Sequence, residues 1–99
     1  MLDRYAKLLN DPYLAYIRTR SCAACGKSPV DPDHLKARSW REAKRNDYTA
    51  IAHCRKCHTE REQIGDEKFQ IVHKVNLWQE AFWALLEFHL TENKERTDL

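Results

Sequence analysis

The apolar positions follow a different pattern in each part of the chain. Residues 2–9 (LDRYAKLL) form a short amphipathic stretch that Asn10-Asp11-Pro12 breaks. Asp11 is expected to cap the next helix, with Pro12 at its first position, where a missing N–H costs nothing. Tyr13, Leu14, Tyr16 and Ile17 supply that helix with apolar contacts. Ser21–Lys27 (SCAACGK) reads as a knuckle, with Gly26 permitting the tight turn. Ser28–Asp33 holds two prolines and reads as a turn or extended connection, after which His34-Leu35 begin a short strand. Lys36–Asp47 is polar and basic, a loop or a short helix. Tyr48–Ala52 joins aromatic and β-branched residues, as a strand does. Cys54–Ile64 opens with a second knuckle and continues as a helix that Gly65 can end. Asp66 then caps a long helix predicted from about Glu67 to about Thr91, and the tail from Glu92 frays.

That last helix is apolar over about two-thirds of its circumference, counting Ile71, Val72, Val75, Leu77, Trp78, Phe82, Trp83, Leu85, Leu86, Phe88 and Leu90. A 99-residue chain makes one small domain and can bury only one stripe of such a helix. The remainder is expected to pack on the N-terminal helices and to form a homodimer seam. The pattern as a whole predicts an α+β fold that is mostly helical.

Composition narrows the setting. The chain is 42% hydrophobic and 32% charged with two glycines, which argues against disorder. Its longest apolar run, Ala81–Leu86, is far short of the roughly 20 residues of a membrane span. Asp3, Arg4, Lys7 and Asp11 leave no room for a signal-peptide core of ~7–15 apolar residues. A cytoplasmic, reducing environment is therefore expected, in which cysteines read as metal ligands before disulfides. Net charge is only +2, but residues 18–61 hold eleven Lys/Arg against five Asp/Glu. The local excess points to a polyanionic partner.

Cys22-Ala-Ala-Cys25 and Cys54-Arg-Lys-Cys57 are two CxxC pairs separated by 28 residues, with no stray cysteine. Each pair can turn both thiolates onto one cation, and two pairs close a tetrahedron, the geometry of structural Zn²⁺. A closed four-thiolate site holds the fold together and does no chemistry. A second set of donors lies beside it. His58 directly follows the last cysteine, and Glu62, four residues on, shares its helix face. The loop closed by the zinc can bring Asp33-His34 back against that helix.

The order of these motifs (CAACGK, DPDHLKARS, NDYTAIAHCRKCH, TEREQIG) resembles the HNH endonucleases, also called ββα-metal or His-Me finger nucleases. It is similar to the small phage and prophage members with four cysteines, and to phage junction-resolving enzymes of the endonuclease VII type. The resemblance covers residues 13–65. It implies a ββα-metal finger flanked by N-terminal helices and a long C-terminal helix, in a bacterial or phage-infected cell. It implies that Asp33 and His58 bind a catalytic Mg²⁺ or Mn²⁺ and that Glu62 stands where relatives often carry a third ligand, commonly His. It gives His34 the part of general base for water attacking a DNA phosphodiester. The middle Asn of the family name, which orients that base, maps onto Asn46 or Asp47. Lys36, Arg38, Arg41, Lys44 and Arg45 would then contact flanking DNA phosphates, and Trp40 would stack on a base or pack in the small core. The alternative is a non-catalytic zinc-knuckle module binding DNA or a protein partner.

Overall fold

The structure, a computed structural model, describes residues 7–35 and 45–97. Helix α1 spans Asp11–Arg18, and strand β1, Asp31–His34, follows the first knuckle. A 3₁₀ turn at Asp47–Thr49 leads into strand β2, Ala50–His53. Helices α2 (Arg55–Ile64), α3 (Asp66–His73) and α4 (Leu77–Thr97) complete the chain. The architecture is α+β and mostly helical. Its sheet has two antiparallel strands, with Asp33 opposite Ile51 and His34 opposite Ala50.

The sheet is small, so its stability depends on what covers it. All four residues of β2 are buried. Tyr13, Leu14 and Ile17 of α1 pack on the sheet, and Leu77, Ala81 and Ala84 of α4 close the core. The Tyr13 hydroxyl donates to the Ala50 carbonyl at 3.1 Å, which ties α1 to β2. Burial, only partly offset by the nearby Arg20 charge, pushes that phenol up to about 12. Phe88 of α4 meets the Tyr13 ring edge-on at 5.2 Å. Tyr16 and Arg20 both bind Glu87, so a polar clasp closes the same seam.

The helix boundaries depart from the sequence reading in four places, two of them small: Gly65 rather than Asp66 stands at the cap of α3, and α4 runs to Thr97 instead of fraying from Glu92. Asn10, not Asp11, caps α1: its side chain accepts from the Tyr13 N–H at 3.0 Å, and Asp11 and Pro12 are the first two helical residues. The long helix predicted from 67 to 91 is two helices, because Lys74 adopts a left-handed conformation at φ 53° and ends α3. Asn76 then starts α4 by accepting from the Gln79 N–H, and Gln70 Oε1 accepts from the Leu77 N–H. These side chains satisfy N–H groups that a helix start leaves open. Asp31–His34, expected as a connection up to Asp33, is the first strand despite Pro32. Gly65, at φ 86°, serves both as the end of α2 and as the start of α3, a conformation that other residues adopt only with strain. No helix among the described residues is long and apolar enough to cross a membrane.

Candidate functional site

Two clusters of chemistry-bearing side chains are built on the same short framework. The first is the cysteine tetrad. Cys22 and Cys25 come from the turn after α1, and Cys54 and Cys57 from the start of α2. Their four sulfurs all lie within 4.8 Å of one another, with Cys25 and Cys54 Sγ 3.6 Å apart. The Ala23 N–H donates to the Ala52 carbonyl at 2.9 Å, which holds the first knuckle against the end of β2. Burial opposes charge at Cys22, yet backbone N–H groups bring its thiol down to about 6. Burial and the neighbouring sulfurs of Cys54 and Cys22 push the Cys57 thiol up. Four thiols this close resist sharing negative charge unless a cation compensates them. The tetrad could hold a metal ion, and its soft donors suit structural zinc.

The second cluster surrounds Asp33. Successive strand residues alternate faces, so Asp33 and His34 turn to opposite sides of β1. Asp33 is 1% exposed and faces α2. Arg61 Nε and Nη2 donate to its two oxygens at 2.7 Å each, a bidentate charge-assisted pair. His53 Nδ1 lies 2.7 Å from Asp33 Oδ2. His58 Nε2 stands 3.3 Å from Asp33 Oδ1 and 3.1 Å from Glu62 Oε1. Burial works against the Asp33 charge, but His53 and Arg61 together hold its carboxyl at about 2. Arg61 also reaches Asp66 at 2.7 Å, so it links β1 to the start of α3. His58 Nδ1 and His53 Nε2 are buried with no hydrogen-bond partner.

On the other side of β1, His34 Nε2 lies 2.8 Å from Asp47 Oδ1. Asp47 is fully buried, and the Asn10 N–H and Arg45 Nε also donate to it, at 2.7 and 2.8 Å. Burial opposes its charge, and these donors outweigh burial to lower its pKa. Of the two residues proposed to orient His34, Asp47 makes the contact. Asn46 instead caps the 3₁₀ turn by accepting from the Tyr48 N–H.

The structure thus brings Asp33, His58 and Glu62 near one another and sets His34 with Asp47 on the opposite face. The three hard donors do not close as tightly as the cysteines. Among the described residues, only the tetrad has its ligand atoms mutually within 4.8 Å. Arg45, half-exposed beside Asp47, is the one proposed phosphate contact within the described residues. Lys36, Arg38, Trp40, Arg41 and Lys44 lie outside them.

Sequence reasoning missed two members of the Asp33 cluster. In the sequence Arg61 is one positive charge among eleven, although its spacing of three from His58 and four from Cys57 puts it on their helix face. His53 ends an apolar strand, and only the burial of that whole strand shows that its ring points inward. Compared with family models, curated proteins and solved structures, the chain matches none.

Proposed function

We propose that the protein is a metal-dependent DNA endonuclease of the HNH (ββα-metal) type, with zinc in the cysteine tetrad as a structural element. The observation that carries this reading is the His34–Asp47 pair. Asp47 is buried and stays ionised, so it accepts a hydrogen bond from the His34 Nε2–H and fixes the tautomer. The Nδ1 lone pair of a partly exposed imidazole is then left to take a proton from water. A buried carboxylate that fixes a histidine in this way is one arrangement that supports general-base catalysis. Arg45 can bind a phosphate oxygen while still holding Asp47.

The donors for a hard divalent cation are right in kind: Asp33 and Glu62 offer carboxylates and His58 an imidazole. Such a cation would neutralise charge on the scissile phosphate. Arg61 competes with it, because both Asp33 oxygens already accept from the guanidinium. Asp66 gives Arg61 a second carboxylate to keep if it releases Asp33. The saturation of Asp33, and its place on the face of β1 opposite His34, favour the second reading, a zinc-knuckle module that binds DNA without cutting it.

Relaxation of supercoiled plasmid with Mg²⁺ or Mn²⁺ tests the proposal. Wild type is expected to cut. His34→Ala is expected to lose about 10²–10⁴ in rate while keeping zinc, fold and DNA binding. Equal cleavage by His34→Ala, or DNA binding without cleavage by wild type, moves the protein to the second reading.

A further inference from the structure

Helix α4 is apolar on two opposite sides, and the core packs against one of them. At about 3.6 residues per turn, Leu77, Ala81, Ala84 and Phe88 lie on one side and pack on the core. Trp78, Phe82, Leu86 and Leu90 lie roughly opposite, at strict four-residue spacing, with Trp83 beside them. Phe82 is 62% exposed and Trp83 49%. The polar residues Glu80, Glu87 and Thr91 form a strip along one edge of this outer side.

We infer that the outer side of α4 is a homodimer seam, covered in solution by α4 of a second copy. Three features select a second copy over other occupants. The first is shape. Residues at i, i+4, i+8 and i+12 form one continuous ridge, and packing such ridges from both helices into each other's grooves is the commonest helix–helix class. Both helices contribute the same ridge, so one surface can complement itself across a two-fold axis. The second is charge. Between Trp78 and Leu90 the polar chains of the outer side are Gln79 and His89, and of the two carboxylates along its edge Glu87 already binds Arg20 of the same chain, so apposing two copies along the apolar ridge brings little like charge together. A nucleic acid would require basic residues there.

The third feature is area. Taking about 200 Å² for each large side chain, the exposed fractions of Trp78, Phe82, Trp83 and Leu90 come to on the order of 400 Å² per chain. That equals the largest apolar patch of an ordinary monomer. Only about 60% of an interface is apolar. The same 400 Å² therefore corresponds to on the order of 650 Å² per partner, within the range of specific complexes. Ile71 and Val72 of α3, both exposed, would add to it if they border the seam.

Sedimentation equilibrium of the zinc-loaded full chain, from about 1 to 100 µM, tests the inference. The expected mass is that of two chains at the upper concentrations. Phe82→Glu and Trp83→Glu, each checked for zinc content and helicity, are expected to weaken association at least about 100-fold, because either places a carboxylate in an apolar seam. Both positions are exposed in the single chain, so folding does not depend on them. Should one variant lose zinc, the other decides. A wild type that remains a single chain at 100 µM overturns the inference, as does a dimer that survives both substitutions. DNA cleavage is not the readout, so this result is independent of the nuclease reading.

Discussion

The cysteine tetrad and the Asp33 cluster share α2 and the end of the sheet, yet they balance charge in opposite ways. The tetrad gathers four thiols and no cationic side chain. The Asp33 cluster gathers a carboxylate with its own guanidinium and two imidazoles, and the guanidinium is already seated. A site without an internal counter-ion depends on one from outside. A site with one can stand alone, and any incoming cation must displace it. The difference separates a cysteine cluster that could hold a metal ion from a carboxylate that already has its cation.

On the proposal that the tetrad holds zinc, removing that zinc should have the largest effect. Chelation, or Cys57→Ser, is expected to unfold the chain, with a loss on the order of 10 kcal/mol, as in other small domains whose zinc is folding energy. Circular dichroism alongside metal analysis reads this. A chelated protein that keeps its helicity would erase the contrast between the two clusters.

Arg61→Met should come next. It leaves Asp33 buried without its cation, a change that typically costs about 3–5 kcal/mol. Urea unfolding of the zinc-loaded protein measures it. Added Mn²⁺ is expected to stabilise Arg61→Met more than wild type, because the vacated Asp33 oxygens become available. Equal effects of Mn²⁺ on both proteins would show that Asp33 takes no cation even when freed.

Acid should act more weakly on the Asp33 side. The folded pKa of Asp33 is depressed to about 2, below the usual aspartate value, and that of Asp47 is depressed as well. A depressed carboxyl contributes stability in full above its unfolded pKa, near 4, and the contribution is lost as pH falls through the folded value. Relative to Asp33→Asn, the wild type should therefore lose on the order of 2 kcal/mol more stability between about pH 4 and pH 2, on top of the loss both share as acid protonates the tetrad thiolates. The smallest effect should come from Glu62→Ala. Its pair with His58 lies at an exposed carboxylate, so stability should change by about 0.5 kcal/mol or less. A larger loss would mean that Glu62 belongs to the charge balance around Asp33.

Cysteine spacing made the tetrad legible because a CxxC pair carries its own local geometry. Asp33 and His58 were legible as neighbours, but their actual partners were not. Whether Asp33 meets a metal ion or an arginine depends on which side chain of α2 reaches over the strand, and no local pattern in β1 encodes that. Asp47 depends on Asn10, 37 residues away, through a backbone N–H that a sequence does not mark. The break at Lys74 was a different kind of miss. Asn76 with Gln79 three residues on is a legible start signal, and the continuing apolar spacing obscured it.

The sequence by itself determined the two metal-type knuckles, the α+β character, the stop at Gly65 and an excess of apolar surface on the last helix. Those depend on contacts within a few residues or on composition alone. Tertiary structure decided that Asp33 and His34 serve opposite faces of one strand, that Arg61 rather than solvent meets Asp33, and which side of α4 stays uncovered. The reason is that burial and charge pairing are settled between elements, after each has formed. A buried carboxylate needs whichever donor the packing delivers to it.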